Sequence, residues 1–192
     1  IVTAGGTAAF EKRTPNYDSY VVDKLQRAGA LIVGKTNTHE LALGGTTNNP
    51  HYGPTHNPWN LENVPGGSSG GSGAALASGQ VSLALGTDTG GSVRIPSAFC
   101  GVTGLKPTYG LIGKSGIIPL SKTLDHAGPM ARSAFDCALL LNQMTGRDIN
   151  DPHNINFDSS TDFTQNIEKE VKGITLAIIP SLLVDSEPGV AQ

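Results

Sequence analysis

The chain has 192 residues, 38% apolar and 15% charged, and its thirteen Lys and Arg against sixteen Asp and Glu leave a net charge of −3. That length supports one domain with a real core, or a large piece of a bigger one. The weak acidic balance, the lack of a Lys/Arg cluster and 5% aromatic content argue against a nucleic-acid-binding surface, and no apolar run approaches the ~20 residues of a membrane span.

In chain order, Asp18 to Gly29 places Val21, Val22, Leu25 and Ala28 at helical spacing, with Asp18 as the candidate N-cap and Gly29 as the stop. Ala30 to Gly34 is a short, wholly apolar run that reads as a strand buried on both faces. Helix followed by buried strand is the α/β rhythm. Residues 37 to 63 are rich in Asn, Gly, Thr, Pro and His, a long polar excursion with one helical turn predicted over Thr38 to Leu43.

A helix over Gly71 to Ser78, a strand over Val81 to Leu85 and a helix opening near Ser92 come next. Val102 to Leu105 reads as a further strand, Gly116 to Pro119 as a brief extended piece, and Asp125 to Met130 as a strand that breaks at Gly128-Pro129. Ser133 to Gly146 is the best-marked helix: Ser133 caps it, Asp136 completes a capping-box-like spacing and Gly146 ends it. Residues 147 to 165 are polar and irregular, and Gly173 to Pro180 is predicted as a last buried strand. No repeat or linker divides the chain. Both ends read as cut, since Ile1 is not Met and Glu187-Pro188 has the character of a helix start.

Two cysteines, Cys100 and Cys137, lie in apolar runs without metal-ligand spacing, which reads as buried free thiols in a reducing, cytoplasmic setting. The chemistry concentrates in Pro65-Gly-Gly-Ser-Ser-Gly-Gly-Ser-Gly and Leu85-Gly-Thr-Asp-Thr-Gly-Gly-Ser-Val-Arg. Taken alone, the first is a Gly/Ser linker. Ala74-Ala-Leu-Ala follows at once and reads as buried helix, so a linker would have to end inside an element. Gly90-Gly91 suits a sharp bend that aims N–H groups at one point, the wall of an oxyanion site. Ser68 and Ser92 are then separated by helix, turn, strand and turn, so both can face one crevice.

A serine needs a base. The chain offers His39, His51, His56, His126 and His153, with Asp88 or Asp125 as conceivable orienting groups. Ser92 stands outside the G-x-S-x-G elbow pattern, which weighs against a Ser-His-Asp triad. A lysine kept neutral by burial is the other candidate base.

Gly66-Gly-Ser-Ser-Gly-Gly-Ser, Gly86-Thr-Asp-Thr-Gly-Gly-Ser-Val-Arg and Pro96-Ser-Ala-Phe-Cys-Gly-Val-Thr-Gly-Leu-Lys-Pro-Thr-Tyr-Gly110 strongly resemble the amidase signature family, and the likeness extends through Gly34-Lys-Thr-Asn and Leu124-Asp-His-Ala-Gly-Pro-Met. The resemblance implies an α/β fold, a mixed central β-sheet flanked by helices, with residues 1–192 forming the central part of a single domain that is incomplete at both ends. It implies a Ser-cisSer-Lys triad: Ser92 as nucleophile, Ser68 as the bridging serine after a cis bond at Gly67, and Ser69 in support. Thr89, Gly90, Gly91 and Ser92 match the positions whose N–H groups form the oxyanion hole.

In such proteins the catalytic lysine lies in a Lys-Asp pair after an upstream strand. Lys12, Lys24 and Lys35 do not match that pattern, so the lysine is expected before Ile1 and the 192 residues alone are expected to turn over amides very slowly. The implied activity is hydrolysis of a small-molecule carboxamide through an acyl-enzyme, without cofactor or metal. Partners would be the amide substrate and a second copy of the chain, with no direct nucleic-acid or membrane contact. The family also holds a glutamine-hydrolysing amidotransferase component that works with partner subunits on a charged transfer RNA. Ile117-Ile-Pro-Leu-Ser and Gly128-Pro-Met-Ala-Arg-Ser look closer to the free-standing amidases. A third reading is a scaffold that keeps the glycine architecture without turnover.

Overall fold

The computed structural model describes residues 1–158, 160–177 and 179–182. The first helix, α1 (Tyr20–Arg27), starts two residues after Asp18, with Ser19 at the N-cap in an extended conformation and no side-chain cap. The C=O of Ser115 accepts the Tyr20 N–H at 3.0 Å instead, which satisfies one of the donors a helix start leaves open. Gly29 ends the helix at φ +91°. A 3-10 turn at Glu40–Ala42 fulfils the predicted helical turn, and β1 (Asn48–Asn49) pairs antiparallel with β2 (Gly53–Pro54).

The centre is built from α2 (Gly70–Ala77), β3 (Leu83–Asp88), α3 (Arg94–Cys100), β4 (Thr103–Gly104), β5 (His126–Ala131) and α4 (Ala134–Met144). The strands form a sheet in the order β3-β5-β4, all neighbours antiparallel, with Leu83 opposite Ala131 and Asp88 opposite His126. The architecture is mixed α/β, and the sheets among the described residues are small and antiparallel. On α4 the reciprocal cap forms as the spacing predicts: Ser133 Oγ accepts the Asp136 N–H at 3.1 Å and donates to Asp136 Oδ2 at 2.7 Å. One core joins Val21 and Leu25 of α1 to Leu140, Leu141 and Met144 of α4, and a second joins Leu76, Val93 and Met130 between α2, the head of α3 and β5. Cys100 and Cys137 are free and buried.

Four expectations need correction. Ala30 to Gly34 is not a strand: Leu31 is 85% and Val33 73% exposed, because an apolar run becomes a buried strand only beside a partner, and none lies alongside it among the described residues. The strand predicted over Val81 to Leu85 lies at Leu83–Asp88, carried three residues further by its pairing with β5. β5 does not break at Gly128-Pro129. The Pro129 C=O accepts the Leu105 N–H at 3.0 Å just past the end of β4, so its missing N–H falls where that ladder is already ending. Ile174 and Leu176, in the predicted last strand, are exposed and belong to no strand among the described residues, the Ile174 N–H donating to the Val171 C=O at 3.3 Å, while residue 178 lies outside them.

Met130 is fully buried against Leu76 and Val93. Met130→Ala is therefore expected to destabilise the fold by about 2–5 kcal/mol in denaturant unfolding, whereas Met130→Leu should stay under about 1.5 kcal/mol.

Candidate active site

Two turns carry the candidate residues. The first leads into α2, where Gly70, Gly71 and Ser72 are all buried. A Cβ on Gly70 would collide with Thr47 Oγ1, and one on Gly71 with the Asn37 carbonyl. The glycines therefore let two other segments close on the start of a helix, which is why this Gly/Ser run is core rather than linker. The Gly67–Ser68 peptide bond is cis, as the resemblance implies.

The Ser68 C=O is held from three sides: by Thr38 Oγ1 at 2.9 Å, by the His39 N–H at 3.1 Å and by Thr47 Oγ1 at 3.1 Å. The Thr47 hydroxyl also reaches the Gly66 C=O at 2.8 Å and accepts the Gly70 N–H at 3.0 Å. One fully buried side chain thus ties residues 66, 68 and 70. It does so from φ +55°, a left-handed conformation that costs a β-branched residue about 1–3 kcal/mol.

The second turn joins β3 to α3 and is shaped by Asp88, which is 0% exposed. Its Oδ1 accepts the Gly91 N–H at 2.8 Å and Arg94 Nη2 at 3.0 Å. Its Oδ2 accepts the Val93 N–H at 3.2 Å, the Arg94 N–H at 3.3 Å and Arg94 Nε at 3.0 Å. Burial by itself would raise the Asp88 carboxyl. The Arg94 side-chain hydrogen bonds, then the Val93 and Arg94 N–H groups, then the Arg94 charge outweigh it and hold the carboxyl below the usual range. Of the four N–H groups matched to an oxyanion hole, that of Gly91 is therefore engaged internally. Those of Thr89, Gly90 and Ser92 have no partner among the described residues.

Ser69 ties the two turns together. Its N–H donates to the Ser92 C=O at 3.2 Å, and its Oγ accepts the Thr87 N–H at 3.1 Å. Ser92 and Ser68 are thus brought to adjoining segments, Ser92 partly exposed and Ser68 fully buried. The Ser68 hydroxyl has no hydrogen-bond partner among the described residues.

The candidate bases lie elsewhere. Lys35 Nζ donates to Thr3 Oγ1 at 2.6 Å, its pKa lowered by partial burial and by the Arg13 charge against a smaller rise from Asp18. Lys12 is exposed beside Glu11, and Lys24 sits on α1. Of the histidines, His39 supplies only its backbone to Ser68, His51 pairs with Glu40 at 2.9 Å, and His56 bonds the Leu61 C=O at 2.6 Å. His126 Nδ1 faces the carbonyls of Leu124 (2.7 Å) and Asp88 (3.1 Å), and His153 is exposed. Among the described residues no imidazole bonds either serine hydroxyl, so the triad disfavoured on sequence is also unsupported by geometry. Asp125 is occupied too: it accepts Thr89 Oγ1 at 2.5 Å and the N–H groups of Leu120 and Ser121. Burial pushes the Cys100 and Cys137 thiols up to about 11, which leaves them protonated and unreactive.

Beside the second turn opens a cleft of about 370 Å³. Thr87 and Thr89 form one side, Ile117, Ile118 and Pro119 an apolar wall, and Lys114 and Lys122 a basic edge, while both serines lie outside its lining. Sequence reasoning passed over Thr38 and Thr47, and it weighed Asp88 only as a histidine partner. The spacing of Asp88 to Gly91 and Arg94 was a usable signal, since an aspartate three residues before a glycine commonly bonds the backbone ahead of it.

The Amidase family model matches residues 1–192. The A subunit of the glutamyl-tRNA(Gln) amidotransferase of Methanosarcina barkeri is 46% identical over 173 residues, which is 90% of this chain and 36% of that protein. The crystal structure of the same-named protein from Thermotoga maritima superposes with a TM-score of 0.86 at 44% identity, over 90% of this chain and 38% of that one. The substrate complex of a 6-aminohexanoate cyclic dimer hydrolase gives 0.83 at 36% identity, over 89% and 36%. The chain therefore spans between a third and two fifths of the length of these proteins.

Asp88→Asn is expected to destabilise the protein by about 3 kcal/mol at pH 7, because the amide cannot accept all five hydrogen bonds. The Asp88 pKa is depressed in the folded state. Its contribution is therefore complete above the unfolded value near pH ~4 and is lost as pH falls through the folded one, so denaturation curves of parent and variant should draw together as the pH is lowered below ~4. Thr47→Val should cost about 1–3 kcal/mol by unpairing the Gly70 N–H and the Gly66 carbonyl, while Thr47→Ser should recover most of it.

Proposed function

From the premise that this chain belongs to the amidase family, we propose that it carries the serine centre of an amide hydrolase, with Ser92 as nucleophile and Ser68 as the proton bridge. The observation that carries this reading is the pair of turns: N–H groups of Thr89, Gly90 and Ser92 without a partner among the described residues, beside a partly exposed Ser92, and an adjoining Ser68 whose buried hydroxyl has no partner among them either. A buried hydroxyl without a partner is a donor and acceptor held ready for transfer.

In the proposed reaction Ser92 Oγ attacks the amide carbon while its proton passes to Ser68 Oγ, which hands its own proton to a base. The resemblance makes that base a lysine, and Lys12, Lys24 and Lys35 are engaged or placed away from the two serines. The C–O bond to Ser92 forms and the carbonyl π pair moves onto oxygen. There the free N–H groups stabilise it, each such donor being worth about 10²–10³ in rate. Collapse breaks the C–N bond, the amine leaves with the proton returned through Ser68, and water hydrolyses the ester by the same relay. Ser69 supports both turns. The Gly91 N–H lies outside this donor set because Asp88 holds it.

As to which amide, the amidotransferase proteins of M. barkeri and T. maritima favour the glutamine-hydrolysing reading, with partner subunits and a transfer-RNA-linked acceptor, over the free-standing amidase that the sequence leaned toward. The likeness to the 6-aminohexanoate cyclic dimer hydrolase, and the apolar wall of the cleft, keep the small-molecule amidase as the second reading.

In the full chain with any partner subunits it requires, Ser92→Ala should abolish fluorophosphonate labelling and amide turnover, and Ser68→Ala should lower kcat by about 10²–10⁴. Ammonia release from glutamine with little turnover of a simple aryl amide supports the amidotransferase reading, and the reverse supports the small-molecule amidase. An unlabelled Ser92 with neither activity overturns both and leaves the scaffold.

A further inference from the structure

The head of β5 closes on a single peptide unit of the Thr89 turn. In the β3–β5 ladder Gly86 stands opposite Gly128, Thr87 opposite Ala127 and Asp88 opposite His126, so the last rung puts His126 beside the residue that opens the turn. A slip of one residue would leave Asp125 or Ala127 there instead. Asp125 lies just before the strand, and its Oδ1 accepts the Thr89 hydroxyl. His126 Nδ1 lies 3.1 Å from the Asp88 carbonyl oxygen and 2.7 Å from that of Leu124. The Asp88 C=O and the Thr89 N–H belong to one planar peptide. Two neighbouring side chains thus hold that plane, one by its carbonyl and one through the Thr89 side chain, while its N–H has no partner among the described residues.

The surroundings of the His126 ring fix which nitrogen carries the proton. Both groups that face Nδ1 are carbonyl oxygens, which only accept, so Nδ1 is the donor. Nε2 is then an acceptor, and the Lys106 ammonium stands 3.3 Å from it, with its other contact at the Pro107 C=O, 2.9 Å away. A ring protonated at both nitrogens would set two cations against each other there. Tyr109 packs edge-on with ring centroids 5.5 Å apart and keeps the imidazole plane in place. The contacts therefore select one tautomer and aim it at the turn, although the ring bonds neither serine hydroxyl among the described residues.

We propose that His126 is a positioning residue of the oxyanion site: its Nδ1–H holds and polarises the Asp88–Thr89 peptide so that the Thr89 N–H meets the developing oxyanion, with Asp125 steadying the same peptide through the Thr89 hydroxyl and Lys106 fixing the tautomer. The role at the oxyanion rests on the amide-hydrolase reading; the clamp on the peptide rests on the contacts alone. A carbonyl that accepts a hydrogen bond makes the N–H of its own peptide a better donor, because hydrogen bonds in a chain polarise one another. That gain is realised where charge develops in the transition state and is slight while the substrate carbonyl is neutral, so it belongs to kcat rather than to KM.

The test uses three variants of the full chain, with any partner subunits it requires. His126→Phe keeps an aromatic ring against Tyr109 and removes the donor, His126→Asn sets an amide nitrogen where Nδ1 stands, and His126→Gln sets one where Nε2 stands. On whichever amide the parent hydrolyses, glutamine or an aryl amide, His126→Phe and His126→Gln should lower kcat by about 10–100-fold with KM within twofold. They should slow fluorophosphonate labelling of Ser92 to the same degree, since that adduct also places an oxygen among the turn's N–H groups, while His126→Asn should stay within threefold of the parent. A kcat indifferent to His126→Phe, a loss carried by KM, or a His126→Asn no better than His126→Gln overturns the role. Should His126→Phe fail to fold, the contrast of His126→Asn with His126→Gln decides alone. If the parent neither turns over an amide nor takes the label, the hydrolase reading fails by itself, and heteronuclear NMR then decides the clamp. A ring protonated at Nδ1 alone, with a Thr89 amide resonance that moves in His126→Gln and returns in His126→Asn, upholds it; a ring protonated at Nε2, or a Thr89 amide indifferent to both variants, overturns it.

Discussion

The candidate site depends on one buried carboxylate. Asp88 gathers three backbone N–H groups and a guanidinium, and in doing so bends seven residues so that the remaining N–H groups of the turn stay free. Without an acceptor at that point, the N–H groups of Gly91, Val93 and Arg94 would be left unpaired or would turn to water. The charge makes the arrangement strong, since hydrogen bonds to an ionised acceptor exceed neutral ones roughly twofold. Arg94 fixes the ionisation from the exposed side, so the same pair that shapes the turn also keeps its acceptor charged.

The neighbouring turn is held by a different device, close approach. Gly70 and Gly71 let Thr47 and Asn37 reach the backbone at the start of α2, and the Thr47 hydroxyl then bonds groups on either side of Ser68. Here steric room comes first and hydrogen bonding follows. The tie at Ser69 joins the two devices, so a disturbance of either reaches both serines.

Much of this was readable in the residues. The glycine-framed serines, the helix between them, the cap of α4 at Ser133 and the cis bond before Ser68 all follow from local composition or from the amidase resemblance. Those features are set by residues close in sequence. What escaped depends on distant neighbours. The apolar run Ala30 to Gly34 reads as a strand only if something covers it, and Leu31 is almost fully exposed. Pro129 reads as a breaker until the short reach of β4 shows that no donor is required there. Thr38 and Thr47 reach Ser68 from 30 and 21 residues away, and a lone threonine in a polar loop carries no sign of that. Lys114 likewise looks like an ordinary solvated charge until the Tyr109 ring is placed under its ammonium.

The span of the Asp88 contacts has an entropic consequence. They join residues only six apart, whereas the support of Ser68 joins residues 21 and 30 apart. Short loops close at small entropic cost and early, and distant pairings wait for the chain to collapse. The Asp88 turn, which carries Ser92 and the free N–H groups, therefore closes at a smaller entropic cost than the support of Ser68.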